Sequence, residues 1–364
     1  MTAPERVLVA MSGGVDSSVA AALLVAAGHD VVGVTLKLWG GESDTGCCSV
    51  SDVDDARRVA DQLGIDHHVF NFGDDFTAHV VEPYVADHAA GRTPNPCVEC
   101  NRHLKFDRLL RRADALGFDA VATGHHARIT VAADGTRRVS RGADRAKDQS
   151  YVLHMLDQPT LARTRFPVGH LTKDRVRAEA ARLGLRTATK VDSQDVCFIT
   201  RSDGRASFLG RRLPLTPGRV VDTAGAEVGR VDAVELVTIG QRKGLGLAGG
   251  SAPRFVVSAD PAAAEVVVGD AADLLVDVQP VHDVGWAAGP VDGDVDVQTS
   301  AHGPSAAARV EPVGGGIVLH WAEPHRRVAP GQSVVLYRGN EVVGGGTAGS
   351  LRPGGPHPAS RRPS

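Results

Sequence analysis

The stretch Val7-Leu8-Val9-Ala10-Met11-Ser12-Gly13-Gly14-Val15-Asp16-Ser17-Ser18 decides the reading of this 364-residue chain. An apolar run of strand composition meets a Gly-Gly turn, and a helical pattern follows from near Ser17. Gly13 and Gly14 let the backbone turn tightly and bring bare N–H groups toward an anion, while the positive end of the next helix points at the same spot. The hydroxyls of Ser12, Ser17 and Ser18 add donors. The turn has neither the Gly-Lys-Ser/Thr ending of a Walker loop nor the spaced glycines of a dinucleotide fold. A pyrophosphate-gripping loop is expected, with plain structural punctuation between strand and helix as the bland alternative.

Composition narrows the partners. With 42% apolar residues and a net charge of −3, the chain is ordinary globular material and not a generally basic nucleic-acid binder. Any RNA contact must be local, at Arg102, His103, Lys105, Arg108, Arg111 and Arg112, or at the more loop-like Arg137, Arg138, Arg141, Arg145 and Lys147. The first cluster reads equally well as a solvated helix face. The first residues lack the build of a signal peptide, and the longest clean apolar stretch, 19–27, is too short to span a bilayer. A cytoplasmic protein with no membrane contact is expected. Cysteines at 47, 48, 97, 100 and 197 give an odd count, which favours thiol chemistry or metal over a disulfide framework.

Up to residue 205, strand-like and helix-like segments alternate, predicting an α/β domain with a parallel sheet. Strands are expected at 7–10, 31–38, 67–72 and 120–123. Val53, Ala56, Ala60 and Leu63 mark one helical face, and Phe106, Leu109, Leu110, Ala113 and Leu116 another. Ser51 with Asp54 reads as a capping box, and a helix over 173–183 is capped by Thr172 and stopped by Gly184. Short Val-rich alternating runs then predict a small β-rich central domain over 206–276 and a closed β-barrel over 277–351. The Pro-rich end, 352–364, reads as disordered.

The S-G-G-x-D-S form resembles the PP-loop ATPases, which split ATP into AMP and pyrophosphate and so adenylate a substrate. Two cysteine segments sharpen this. Gly91-Arg92-Thr93-Pro94-Asn95-Pro96-Cys97-Val98-Glu99-Cys100 holds Asn95 between two rigid prolines, and Asp192-Ser193-Gln194-Asp195-Val196-Cys197-Phe198 follows much later. A thiolate is a good nucleophile and carries a terminal persulfide sulfur, so ATP activation beside paired thiols argues for sulfur insertion.

Several strings occur in one order: SGGVDSS, GRTPNP with Cys100, ATGHHAR ending at Arg128, Lys147-Asp148-Gln149-Ser150-Tyr151, the Cys197 segment, and GQRKGLG from Gly240. On these motifs nearly the whole chain short of its tail resembles the bacterial tRNA-specific 2-thiouridylases. The resemblance implies an adenine nucleotide alpha hydrolase-like PP-loop domain, the central β domain and the barrel. It implies ATP-dependent 2-thiolation of the wobble uridine of lysine, glutamate and glutamine tRNAs. ATP with Mg²⁺ would be held by Ala10, Met11, Ser12, Gly13, Gly14, Val15, Asp16 and Ser17, with Leu36 against the adenine and Gly124 backing the nucleotide. Leu36 stands where methionine is common, a volume-conserving change. Cys197 matches the persulfide carrier, charged by a cysteine desulfurase or sulfur-relay protein, and Cys100 its partner nucleophile.

The resemblance also implies RNA contacts. Asn95, Pro96 and Cys97 match the strip facing the flipped target base, and Lys147, Asp148 and Gln149 a tRNA-contacting turn. Gln241, Arg242 and Lys243 offer cations for phosphate, or form a plain exposed turn. No Arg-Tyr-Arg run stands near Ser300-Ala301-His302, so no barrel contact is assigned there. Cys97 occupies a position where some members carry Asp as acid or base. Asp16 and Asp195 are other proton acceptors, or Mg²⁺ and loop-holding residues. The Cys97-x-x-Cys100 pair with Cys197 opens a second reading, an iron–sulfur cluster with one iron open for hydrosulfide. Cys47 and Cys48 lack the spacing partners of a zinc site and read as incidental or packing thiols. Two further readings stand beside these: a PP-loop ligase adenylating a small molecule, and a non-catalytic tRNA-binding protein.

Overall fold

Val7, Leu8 and Val9 are fully buried in the first strand, the signature of a parallel strand covered on both faces. The computed structural model describes residues 3–39, 50–192, 196–199, 204–247 and 252–351. Among these, five strands make a parallel sheet: β1 (Arg6–Ala10), β2 (Asp30–Lys37), β3 (His67–Asn71), β4 (Ala120–Thr123) and, after a hairpin of β5 (Ala127–Val131) and β6 (Arg137–Arg141), β7 (Thr164–Arg165). Their order is β3-β2-β1-β4-β7, with Val7 level with Val31 on one side and Ala120 on the other. Because side chains alternate along a strand, Val7 and Val9 join the core under helices α1 (Val15–Ala26) and α2 (Val50–Leu63), while Leu8 joins a second core with Phe76, Leu104 and Phe106.

A second sheet holds β8 (Gly218–Asp222), β9 (Glu227–Val231), β10 (Phe255–Asp260) and β11 (Glu265–Gly269) in the order β10-β11-β8-β9. The remaining strands are β12 (Leu275–Trp286), β13 (Gly293–Gln298), β14 (Ala306–Val313), β15 (Gly316–Arg326), β16 (Ser333–Arg338) and β17 (Glu341–Ala348). They run β12-β15-β14-β13-β16-β17, and antiparallel pairing of β12 with β17 closes the barrel. Closure removes the exposed edges that an open sheet would present.

The expected α/β, β-rich and barrel architecture is therefore present. Four strands lie where the alternation placed them, to within a residue at each end. The helix Lys173–Arg182 has the Thr172 cap and the Gly184 stop with φ of 65°. Three details differ. Residues 137–141 form strand β6 rather than loop, because Val139 and Ser140 turn inward and hide the alternation behind the arginines. Strand β7 has two residues, too few to show a period. Ser51 lies inside α2, already helical at Val50, so it is not the cap residue. Cys47, Cys48, Asp195 and the 352–364 tail lie outside the described residues.

The hairpin ties the first domain to the barrel. Ser140 of β6 pairs with Glu341 of β17, and the Arg141 guanidinium lies 3.8 Å from the Tyr337 ring centre. Arg141 also donates to Asp148 at 3.1 Å, Gln298 at 2.7 Å and Ser305 at 2.8 Å. Removing one partner of a buried ion pair leaves the other charge uncompensated. Arg141→Met should therefore cost about 3 kcal/mol, seen as a lower urea midpoint. Adding Asp148→Asn to that variant should recover part of the loss.

Candidate active site

The order of the parallel strands reverses at β1, whose two neighbours are the next strand in sequence and the much later β4. In such sheets ligands bind at the carboxyl ends of the strands flanking that point. Both connections there are the expected ones: Met11 to Gly14 after β1, and Gly124 to His126 after β4.

Local chemistry shapes the first loop. Met11 is fixed on β2 by its N–H to the Val34 carbonyl, and its own carbonyl accepts from Thr35 Oγ1 at 2.7 Å. Gly13 has φ of 71°, and a Cβ there would strike the Asp52 carbonyl of α2. Gly14 caps α1 with no side chain, so the first-turn N–H groups face the loop. The Ser17 and Ser18 hydroxyls donate to the Gly14 carbonyl, and the Ser12 N–H donates to Ser17 Oγ at 3.2 Å. Gly124 lies against the same turn; its Cβ would sit 2.5 Å from the Ser17 nitrogen. Leu36 is buried on β2 within the core cluster that contains Cys100.

Asp16 does not stand open as a base. Lys173 Nζ donates to both of its oxygens, at 2.8 and 2.7 Å, and His126 Nε2 lies 3.0 Å from Oδ1. Burial pushes the Asp16 carboxyl up, but the bonds from His126 and Lys173 prevail and hold it below its ordinary value. A carboxylate held ionised in this way accepts protons poorly, and its bonds tie the first turn of α1 to Lys173 and His126. His126 is buried and its Nδ1 has no hydrogen-bond partner among the described residues. Lys173 also reaches Asp192 at 2.9 Å, and Asp192 takes bonds from Lys147 and Arg177, each at 2.8 Å. Burial raises Asp192, yet the bonds from Lys147 and Lys173 bring it down to about 2. Lys173 and His126 were not among the site residues expected from sequence. His126 lies in a quoted motif, but Lys173 looks there like any first-turn residue of a helix.

The thiols share one apolar cluster. Cys100 is buried in it and Cys197 packs against it; neither forms a disulfide, nor does half-buried Cys97. Phe198 anchors the Cys197 segment, with ring centres 5.6 Å from Phe76, 5.5 Å from Tyr84 and 5.2 Å from Phe208. Beside it Val196 has φ of 56°, a left-handed conformation that a β-branched residue adopts only under constraint. Cys100 opens a π-helical stretch, Cys100–Arg108, inside a continuous helix from Pro96 to Ala115. Such wide turns concentrate at functional sites. Among the described residues no group of three or more His, Cys, Asp or Glu is arranged to hold a metal. The iron–sulfur reading of Cys97, Cys100 and Cys197 therefore finds no donor set there.

The RNA-facing candidates divide. Asn95 caps the Pro96 helix, its Oδ1 accepting from the Cys97 N–H at 3.1 Å, and Pro96 is buried. Lys147 and Gln149 are exposed on their turn, but Asp148 is buried, accepting from Arg141, the Gly142 N–H and Ser150. Asp148 shapes the turn from within. Gln241 holds its loop by bonds to the Thr238 N–H and the Lys243 carbonyl, leaving Arg242 and Lys243 exposed in the central domain.

Two measurements probe this geometry. Gly124→Ala should push the first turn of α1 aside and weaken ATP binding at least about ten-fold in equilibrium dialysis. Asp192, about 2 against an ordinary 3.8, stabilises the fold above its unfolded value and loses that contribution as pH falls through its native one. Asp192→Asn should be less stable than wild type at neutral pH, and the difference in urea midpoint should vanish between about pH 4 and about pH 2.

Sequence comparison agrees with the geometry. Three family models match in order: a tRNA methyl transferase HUP domain over residues 5–201, a tRNA methyl transferase PRC-barrel domain over 206–270, and an aminomethyltransferase beta-barrel domain over 278–348. The tRNA-specific 2-thiouridylase MnmA of Rhodococcus jostii (strain RHA1) is 51% identical over 360 residues, covering 94% of this chain and 97% of that protein. Those of Moorella thermoacetica and Streptomyces coelicolor are each 47% identical, covering 94% and 96% of this chain and 99% and 96% of theirs. The domain descriptions speak of methyl transfer, whereas these full-length relatives are named for thiolation. With a PP-loop at the switch point, two thiols in one cluster and full-length similarity of this order, the chain belongs to the tRNA-specific 2-thiouridylase family, enzymes that transfer sulfur to tRNA.

Proposed function

We propose that this protein uses ATP to 2-thiolate the wobble uridine of lysine, glutamate and glutamine tRNAs, releasing AMP and pyrophosphate and drawing sulfur from a persulfide on Cys197. The observation that carries the reading is that both thiol segments meet one apolar cluster that also contains Leu36, on the strand beside the phosphate loop. That shared cluster supports reading the phosphate loop and the two thiols as parts of one site.

The steps follow from those groups. The α1 terminus and the loop N–H groups take the negative phosphates. The uridine 2-carbonyl oxygen attacks the α-phosphorus and the bond to pyrophosphate breaks, so a poor oxygen leaving group becomes AMP. The terminal sulfur on Cys197, loaded by a cysteine desulfurase or relay protein, attacks C2 and AMP departs. Cys100 then attacks the Cys197 sulfur. The bond to the transferred sulfur breaks, its electron pair stays with the RNA sulfur, N3 regains the proton it gave up on adenylation so that C2 becomes a thiocarbonyl, and a Cys100–Cys197 disulfide remains for an external dithiol to reduce. Release of hydrosulfide by Cys100 before attack is the competing order of events and leaves the same disulfide. Asn95, Pro96 and Cys97 would face the base, with Lys147 and Gln149 on the RNA backbone, and Arg242 and Lys243 would reach phosphate further along.

Cys197→Ser and Cys100→Ser should each lower 2-thiouridine in target tRNA by at least about two orders of magnitude, measured by nucleoside mass spectrometry. Both should still form AMP when tRNA is present. Undiminished thiolation by the Cys197 variant would overturn the assignment.

A further inference from the structure

Tyr151 closes the motif that contains Lys147 and Gln149, yet it is buried, with only 2% of its surface exposed. Burial pushes its hydroxyl above its ordinary value, so the hydroxyl keeps its proton at neutral pH. That one proton goes to the Ser333 carbonyl of the barrel at 2.8 Å, because a carbonyl only accepts. The phenol oxygen is left as an acceptor, and the Asn95 side chain is its partner. Asn95 has its own oxygen occupied by the Cys97 N–H at 3.1 Å, so its NH₂ group is the one that serves Tyr151. Both ends of the amide are thereby committed.

A matching contact lies on the far side of the thiols. The Asn101 NH₂ group, one residue past Cys100, donates to the Val152 carbonyl at 3.1 Å. Tyr151 and Val152 thus grip the helix that carries Cys97 and Cys100, once at its cap and once beyond the second thiol. This grip is itself anchored in the barrel. Ser150 Oγ lies 3.0 Å from the Tyr337 hydroxyl, and the Thr93 N–H donates to the Pro330 carbonyl at 2.7 Å. Gly331, at φ of 90°, comes so close that a Cβ would stand 3.0 Å from Arg92 Cβ. The stretch just ahead of Cys97 therefore rests on barrel residues 330–333.

We propose that Tyr151 is a positioning residue for the base-facing strip: by fixing the Asn95 amide against a barrel carbonyl, it sets where Cys97 and Cys100 stand relative to the activated base. The barrel then takes part in the reaction by holding the thiol-bearing helix in place. The inference rests on the adenylation and sulfur-transfer reading above and adds the residue that keeps those two steps in register. When the helix drifts, water attacks C2 of the adenylated uridine in place of sulfur, its oxygen becomes the new 2-carbonyl, N3 regains a proton and AMP departs. ATP is then consumed without thiolation.

The test measures AMP and 2-thiouridine in one reaction of the full chain with tRNA, ATP, dithiothreitol and a cysteine desulfurase supplied with cysteine. In the wild type the two products should appear in about equal amounts. Tyr151→Phe, which keeps the ring and removes only the hydroxyl, should raise the ratio of AMP to 2-thiouridine at least about three-fold. Unfolded molecules form neither product, so a loss of folded protein alone leaves that ratio where it was. Asn95→Ala should raise the ratio as well, and the double variant should go no higher than Asn95→Ala, since both changes break one link. A Tyr151→Phe ratio equal to that of the wild type, or a double variant in which the two effects multiply, would overturn the positioning role while leaving thiolation intact. Absence of AMP from the wild type with tRNA would remove the adenylation reading and the inference together.

Discussion

One strand governs the layout. Strand β1 is hydrogen-bonded on both sides, to β2 and to β4, and its Val7, Leu8 and Val9 are buried. A parallel strand needs a crossover to return, and the crossovers on its two sides leave in opposite senses, so the connections after β1 and β4 part above its carboxyl end. That opening receives the Ser12–Gly14 turn and the Gly124–His126 turn. Gly124 is small enough to let the second rest on the first turn of α1. The phosphate loop is thus formed by the sheet's topology as much as by its own glycines.

Around this opening, charge replaces apolar packing as the organising force. Asp16, Lys173, Asp192, Lys147 and Arg177 form one chain of ion pairs, and Lys190 adds Asp52 and Asp55 at 2.7 Å on the α2 side. Desolvation offsets part of the attraction in such half-buried pairs, although at Asp192 the attraction prevails. They also fix geometry. Here they tie Asp192 and the first turn of α1 to the helix Lys173–Arg182. The barrel exerts its own constraint through Arg141, which links Asp148 to Gln298 and stacks on Tyr337, so the turn bearing Lys147 and Gln149 is set by a domain far along the chain.

Much of the fold was legible because its signals are local. The apolar run before Ser12, the Thr172 cap, the Gly184 stop and the even spacing of Val-rich runs each report on a few neighbouring residues. The hairpin strand β6 was hidden by arginines that are neutralised only by partners from elsewhere, Glu341 for Arg138 and Asp148 for Arg141. The π-helical stretch from Cys100 was hidden because its hydrogen bonds skip one residue more than the period being sought. The burial of Asp148 inside its turn was hidden as well, because it comes from residues of the hairpin and the barrel.

The Gly-rich loop, the thiols available for sulfur chemistry and the succession of α/β, β-rich and barrel segments could be read from the chain alone. These depend on residue type and short-range spacing. It took the packed fold to show that Asp16 is held ionised by Lys173, that Cys100 and Cys197 meet one cluster, and that Lys173 joins Asp16 to Asp192. Those facts join residues more than ninety positions apart in the chain, and no local period or motif records a contact that forms only when the sheet and its helices are packed.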